Sequence, residues 1–227
     1  MNRVQVTMKM HFKDKWTWFF NPWIILAISF LINLAIGYLS EEIIYSGGLS
    51  SIYIFFMISG ILTLAKTFPY AIGMGLRRTD FFLGTAAAVT LVSAVSAVLI
   101  FLLSVIEKDM TGGWGADVHY FHLPYLNDGN VFEQLWIYFI VMVNMFFLGF
   151  AICSMFMRFG SKGMYIFFIG LSVFFMIGSF IATRNQWWED ISHWIGKQTA
   201  FELGLWMVPL TLVYALVSFL LIRRTTI

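Results

Sequence analysis

Few residues in this chain have the type and spacing that catalysis or metal binding requires. Glu41 and Glu42 form an adjacent carboxylate pair, which in an intramembrane hydrolase could activate water for attack on a peptide bond. Such a site also needs an arginine soon after the pair and histidines within the helices, and residues 41–46 contain no arginine. We therefore interpret the pair as acidic loop residues, and an intramembrane hydrolase stays the weaker alternative.

Two other patterns could hold a metal or a phosphate. Asp117, His119 and His122 are close together in a glycine-rich stretch, and such side chains can ligate zinc. We interpret them as solvated loop residues. The turn at 158–163 combines glycine, serine and lysine but lacks the spacing of a nucleotide-binding loop. The sequence therefore predicts no catalytic residue, no metal site and no cofactor in this chain.

Composition sets the class of protein. The chain has 227 residues, of which 60% are hydrophobic and 11% charged, and its mean hydropathy is +0.82. Roughly 25% of the residues in a soluble domain are charged, so the deficit indicates an integral membrane protein. The single cysteine, Cys153, excludes an internal disulfide and a cysteine-based metal cluster.

Stretches without charge predict the elements that must position any site. A membrane-spanning helix needs about 20 apolar residues. Six charge-free windows have that length: 16–40, 43–65, 81–106, 134–157, 163–183 and 203–222. The sequence predicts an all-α membrane protein of one domain, 1–227, with an interfacial helix at 1–20 and a bundle of six transmembrane helices at 21–227.

The third window is also rich in small residues. Gly84 and Ala88 are four residues apart, as are Ser93 and Ala97. This spacing lets helix backbones approach closely, which predicts a central position for the third span.

Lysine and arginine predict the orientation. If the N-terminus is cytoplasmic, 11 of the 14 basic residues lie on the cytoplasmic side, and only Lys108, Arg184 and Lys197 lie outside. Basic residues accumulate in cytoplasmic loops, so we expect both termini to be cytoplasmic.

The first twenty residues predict a basic amphipathic helix. Val4, Met8, Phe12 and Trp16 recur at every fourth position, and most of the charges lie off that stripe. Such a helix lies on the inner membrane surface. It serves either as an anchor alone or also as a flank of a partner-docking surface.

The stretch 66–84, between the second and third windows, is the inner segment best suited to a specific contact. Pro69 and the glycines at 73 and 75 are expected to break the helix, and Thr79-Asp80 to cap the next one. We predict that this stretch docks on a partner protein. The residues assigned to the contact are Pro69, Tyr70, Gly73, Gly75, Arg77, Arg78, Thr79 and Asp80.

A second short helix is predicted before the sixth window, on the outer side. Its aromatic and apolar residues are Trp187, Trp188, Ile191, Trp194 and Ile195. All but Trp188 share one helical face, which is typical of a helix at the membrane interface. The set is either a plain aromatic belt or an outer gate on a translocation path.

No predicted span carries an acidic, basic or histidine side chain near its middle. Ion-coupled transporters usually place such a group there. If this protein moves a substrate, we therefore expect the energy to come from another subunit.

This plan resembles the permease subunits of bacterial ABC transporters of the drug and polysaccharide exporter class, the type V exporter fold. The shared features are six spans, a surface helix before the first, an inner loop after the second and an outer helix before the sixth. The local match runs from Phe68-Pro69-Tyr70-Ala71 through Gly75 and Arg77-Arg78 to Phe81 and Gly84, with Thr79-Asp80 where the family pattern has one residue.

The resemblance implies a multi-pass protein of the bacterial plasma membrane that exports an amphiphilic substrate, such as a peptide antibiotic or a lipid-like molecule. Stretch 66–84 would be a coupling helix on a separate ATP-binding subunit, present in two copies, which holds the ATP-Mg. The other partners would be a second permease chain, identical or homologous, and the lipid bilayer, with no nucleic acid. The alternative from another class is a non-transporting membrane scaffold or immunity protein.

Overall fold

Apolar runs in this chain form long helices, as the charge-free windows predict. The computed structural model describes residues 3–40, 42–127 and 129–223 and is 87% helical. The all-α class is therefore confirmed. Glu41 of the carboxylate pair and Arg224 lie outside the described residues.

Nine α-helices follow one another, three of them extended by a π-helical turn. Their bounds are α1 (Arg3–Lys13), α2 (Asn21–Leu39), α3 (Ser50–Leu62), α4 (Phe68–Gly73), α5 (Arg78–Val105), α6 (Pro124–Asn127), α7 (Val131–Arg184), α8 (Trp187–Lys197) and α9 (Ala200–Arg223) in the described ranges. The π-helical turns are Trp16–Phe20, Thr63–Thr67 and Ile106–Thr111, and a short 3-10 helix, Gly47–Leu49, precedes α3.

Among the residues that the structure describes, five helical stretches are long and apolar enough to cross a membrane. They are Trp16–Leu39, Gly47–Gly73, Arg78–Thr111, Val131–Arg184 and Ala200–Arg223. The fourth and fifth charge-free windows both fall in α7, which has 54 residues. Its backbone is not helical at Gly160, where φ is 67° and ψ is −171°, so a kink separates the two windows. A positive φ of this kind favours glycine.

The N-terminal helix is shorter than predicted. α1 ends at Lys13, and the helical path into the first long helix already begins at Trp16, not at Asn21. The expected boundary between an interfacial helix at 1–20 and a bundle at 21 is therefore misplaced by about one turn, because Trp16–Phe20 joins α2 without a break.

The core lies where α3, α5 and the first half of α7 meet. Gly84, Ala88, Ser93 and Ala97 of α5 are all buried, which confirms the central position predicted for the third window. α3 and α7 also approach closely, since a Cβ added at Gly60 would collide with the backbone of Phe146. This close approach depends on glycine, as in other tightly packed apolar helices.

Residues 161–197, which we call the arm, have little packing. Within this range Ala182 is the only buried residue. The arm consists of the second half of α7, after Gly160, and of α8. Its apolar side chains are therefore exposed on nearly every side.

Two-residue strands connect the loops at one end of the bundle. β1 (Ile44–Tyr45) pairs in parallel with β2 (Val118–His119), with Ile44 opposite Val118. The pairing joins the loop before α3 to the long loop after α5. We call this the loop end, and the opposite end, where α4 meets α5, the elbow end.

Candidate functional site

The candidate docking surface is the bend between α4 and α5, residues 68–81, which we call the elbow. α4 ends in a Schellman motif, in which Leu76 N–H donates to Ala71 O at 3.2 Å and Gly75 N–H to Ile72 O at 2.9 Å. Gly75 has a φ of +80°, the left-handed conformation that this motif needs. The last carbonyl groups of α4 are thus satisfied, and the turn has a defined shape.

Pro69 does not break the helix, contrary to the sequence prediction. The helical path continues from Gly47 to Gly73, and Pro69 lies in the first turn of α4, where proline is tolerated. The π-helical turn Thr63–Thr67 immediately precedes it, and Phe68 N–H donates to Thr63 O there. The chain leaves the helix only after Gly73, so the glycines end it as predicted.

Aromatic packing holds the two sides of the elbow together. Phe68 of α4 and Phe81 of α5 are fully buried, and their rings meet edge to face with centroids 5.1 Å apart. By contrast, Tyr70 is 63% exposed and Met74 52% exposed. The elbow therefore presents an aromatic and an apolar side chain outward from a fixed base.

The two arginines of the elbow have different environments. Arg77 is exposed and precedes the first residue of α5. Arg78 Nη1 instead donates to the carbonyl oxygens of Ile222 and Arg223, both at 3.2 Å. A cation at a helix C-terminus interacts favourably with the helix dipole, so Arg78 stabilises the end of α9. Only Arg77 remains fully available for a contact with another protein.

Thr79-Asp80 does not cap α5, contrary to the prediction. The helix begins at Arg78, and its N-cap residue is Arg77, which makes no capping hydrogen bond through its side chain. Asp80 lies in the first turn, where its negative charge is favourable, and Thr79 is exposed. Pro69 and Asp80 are half-buried, and Gly73 and Gly75 are exposed.

The N-terminal helix packs beside the elbow on α5. Thr7 is buried against Gly84, where an added Cβ would meet the Thr7 side chain and the Val4 carbonyl oxygen. The predicted apolar stripe points elsewhere, since Phe12 and Trp16 are exposed. The helix thus contacts α5 through Thr7 and directs Phe12 outward.

His11 is the second buried contact of α1. Its Nε2 lies 2.9 Å from Thr85 Oγ1, and its ring lies 4.5 Å from that of Trp18. Burial lowers the pKa of His11 from 6.5 to about 4, although the Asp14 carboxylate acts in the opposite direction. Its Nδ1 is buried with no hydrogen-bond partner. Because protonation there would bury an unpaired N–H, we infer that the imidazole is neutral.

The predicted outer helix is present as α8. The five side chains assigned to a gate are 38% to 50% exposed: Trp187, Trp188, Ile191, Trp194 and Ile195. Trp188 Nε1 donates to Thr183 Oγ1 at 2.9 Å, and the Trp194 ring lies 6.3 Å from that of Trp206. The gate stays a prediction.

A buried carboxylate at the loop end was not identified from the sequence. Glu107 is fully buried after α5, and Trp114 Nε1 donates to its Oε2 at 2.7 Å. The backbone N–H groups of Tyr120, Phe121 and His122 donate to the same carboxylate at 2.9 to 3.1 Å. These donors hold the long loop against the helix. Their hydrogen bonds replace those that the carboxylate loses to water when it is buried.

Sequence reasoning missed Glu107 because an acidic residue that ends an apolar run looks like any loop charge. The sequence signal that could have indicated it was the glycine-rich segment 112–115, Gly-Gly-Trp-Gly. In the structure all four of these residues have a positive φ. Such a segment turns the chain back on itself and brings Trp114 and the following N–H groups to Glu107.

The histidines of this loop contact other side chains and are not simply solvated, which corrects our interpretation. His119 stacks on Tyr45 with ring centroids 5.0 Å apart, and its Nδ1 lies 3.8 Å from Glu107 Oε1. His122 Nδ1 lies 3.3 Å from Ser104 Oγ. In the described part of the chain, no three histidine, cysteine or acidic side chains are grouped so that they could hold a metal ion.

Asn127 connects the same loop to α5 and α7. Its Nδ2, which has two hydrogens to donate, lies 2.8 to 3.0 Å from Ser104 Oγ, Gln134 Oε1 and Tyr138 OH, and its Oδ1 accepts Leu123 N–H at 3.1 Å. The loop end is therefore a rigid, hydrogen-bonded cap. The elbow end, by contrast, presents exposed side chains.

Comparison of this chain with protein-family models, with curated proteins and with solved structures finds no match in any of the three.

Proposed function

We propose that this chain is the permease subunit of a bacterial ABC transporter. The observation that carries the proposal is the elbow. It has a fixed base made by Phe68, Phe81 and the Schellman motif, and an exposed surface made by Tyr70, Met74 and Arg77. A rigid bend with outward aromatic and basic side chains suits docking, because aromatic residues and arginine contribute most to protein interfaces.

Six spans are part of this proposal. A continuous helix of 54 residues would be about 80 Å long, whereas the hydrocarbon core of a bilayer is about 30 Å thick. The non-helical backbone at Gly160 supports two spans, 131–159 and 161–184, joined by a tight turn. With the other four long helices this makes six.

The elbow is joined to several helices, which suits transmission of force. Arg78 bonds to the end of α9, and Phe81 and Gly84 of α5 adjoin α1 through His11 and Thr7. The described ends of the chain therefore lie at the elbow end. With the excess of basic residues there, this supports a cytoplasmic location for the elbow and both termini.

In this mechanism ATP-Mg binds to a separate subunit, present in two copies. Movement of that subunit would push the elbow and tilt α5, α9 and α1 together. The exposed arm leaves apolar surface for lipid and for a second permease chain, and α8 would close the exit for an amphiphilic substrate. No step requires a catalytic group in this chain.

Co-purification with an ATP-binding cassette subunit of the same genome tests the proposal. Arg77→Glu combined with Tyr70→Ala should reduce recovery of the complex and stimulation of ATP hydrolysis at least about tenfold. Arg78 is left unchanged, because its loss would also disturb α9. Arg158→Glu is the control, since Arg158 is exposed outside the elbow. Unchanged recovery and turnover in the double variant would contradict the coupling role.

A scaffold or immunity protein that sequesters a toxin would need no motor contact at the elbow. Stimulation of ATP hydrolysis by the chain in liposomes separates the two functions, because only the permease should produce it.

A further inference from the structure

A cleft of about 640 Å³ lies between α1 and the elbow. One part of its lining is basic, with Lys9 and Lys13 on α1 and Lys66 before α4. The other part is apolar and includes Met10 and Trp18. Tyr70 and Met74 of the elbow also line the cleft, and the proposed docking function does not account for its three lysines.

The lysines of the cleft form no ion pair with an acidic side chain of the described residues. Across residues 3–40, 42–127 and 129–223, the one acidic–basic pair within 4.0 Å is His119 with Glu107 at the loop end. Asp14 also lines the cleft, but its Oδ1 already accepts Thr17 N–H at 3.3 Å. Three ammonium groups thus face one carboxylate, and the cleft has an unbalanced positive charge that favours an anion.

Neighbouring aromatic side chains indicate the depth of the cleft in a membrane. Phe12, Trp16 and Phe20 are 41%, 64% and 43% exposed on the same N-terminal segment. Exposed aromatic residues at the start of a span lie at the level of the lipid headgroups. We therefore expect the three lysines, which line one cleft beside these residues, to lie near the depth of the lipid phosphates.

We propose that this cleft binds the phosphate-bearing headgroup of an anionic phospholipid. The lysines hold the phosphate, and Met10 and Trp18 contact the glycerol and the first methylene groups. Basic pockets between helices on the cytoplasmic side bind such headgroups in other membrane proteins. A free phosphate would leave the apolar lining unused.

Native mass spectrometry of the full chain in detergent tests the proposal without any ATP-binding subunit. The probes are dioleoylphosphatidylglycerol, dioleoylphosphatidylcholine and soluble glycerol phosphate. We expect the anionic lipid to bind at least about tenfold more tightly than phosphatidylcholine. Glycerol phosphate at the same concentration should not displace it.

Charge variants separate a built site from general attraction. Lys9→Gln/Lys13→Gln/Lys66→Gln should abolish the preference, and the same three positions changed to arginine should retain it. Arg3→Gln/Arg158→Gln/Lys162→Gln removes the same charge from exposed positions outside the cleft and should change the affinity less than about twofold.

Three results would overturn the proposal. One is equal binding of the two lipids by the unchanged chain. Another is equal loss of preference in both glutamine variants, which would indicate non-specific attraction. The third is displacement by glycerol phosphate, which would indicate a simple phosphate site. None of these results bears on docking at the elbow, because no ATP-binding subunit is present.

Discussion

The backbone N–H of Tyr120 donates a bifurcated hydrogen bond to the Glu107 carboxylate, whose two oxygens lie 3.0 and 3.1 Å from the Tyr120 nitrogen. Both residues are fully buried, and the Tyr120 hydroxyl also donates to Leu26 O at 3.4 Å. The long loop after α5 is thereby tied to α2 as well as to α5. The carboxylate serves as the anchor of the loop end.

Replacement of Glu107 should destabilise the protein strongly. Glu107→Ala leaves three backbone N–H groups and the Trp114 indole without their acceptor, which should cost at least about 3 kcal/mol of unfolding free energy. Thermal denaturation in detergent measures the change. Glu42→Ala is the matched control, because Glu42 is exposed and should change stability by less than about 0.5 kcal/mol. Equal melting temperatures for the two variants would disprove the anchor.

His11 should make stability depend on pH in the acidic range. Its pKa is about 4 in the folded protein and about 6.5 when unfolded, so the unfolded chain binds the proton first as the pH falls. The contribution of His11 to the free energy of unfolding is therefore fully present above pH 6.5, and about 3 kcal/mol of it is lost between pH 6.5 and pH 4. Melting temperatures measured from pH 7 to pH 4 follow this loss.

His11→Gln supplies the control for that titration. Glutamine retains a polar group near Thr85 Oγ1 but does not titrate in this range. The decrease between pH 6.5 and 4 should be smaller in the variant by about the same 3 kcal/mol. A decrease of the same size in both proteins would show that other groups cause it.

The two glycines of the elbow should respond in opposite directions to alanine. Gly75→Ala places a Cβ at a φ of +80° and should cost about 1 to 2 kcal/mol. Gly73 lies in α4 with an ordinary φ and open space around it, so Gly73→Ala should be neutral or stabilise by about 0.5 to 1 kcal/mol. Chemical denaturation of both variants provides the measurement, and a loss at position 73 alone would contradict the Schellman assignment.

A polar pair within the bundle should stabilise the contact of α7 with α9. Asn144 Nδ2 donates to Thr211 Oγ1 at 2.8 Å, and both side chains are buried. A double-mutant cycle with Asn144→Leu and Thr211→Val should give a coupling energy of about 0.6 to 1.7 kcal/mol. Thr90→Val is the control, because the Thr90 hydroxyl is exposed and bonds only within its own helix. Additive effects in the cycle would exclude the interhelical bond.

The sequence by itself determined which segments are helical and long enough to span a membrane. Charge-free runs of about twenty residues can satisfy their backbone in a bilayer only as helices, so this feature is local to each segment. The same applies to α1 and α8, whose amphipathic spacing predicts short helices, and to Gly75, whose position after an apolar run predicts a helix end. The small residues of α5 likewise indicated its central position.

Only the tertiary structure decided which polar groups meet. Arg78 bonds to Ile222, 144 residues away, and His11 to Thr85, 74 residues away, and no local pattern records such pairs. Glu107 depends on N–H groups that reach it only after the segment 112–115 has turned back. A buried charge is stable only when several hydrogen-bond donors surround it. Whether Glu107 is an exposed loop residue or a buried anchor therefore depends on the packing of the folded chain and not on the local sequence.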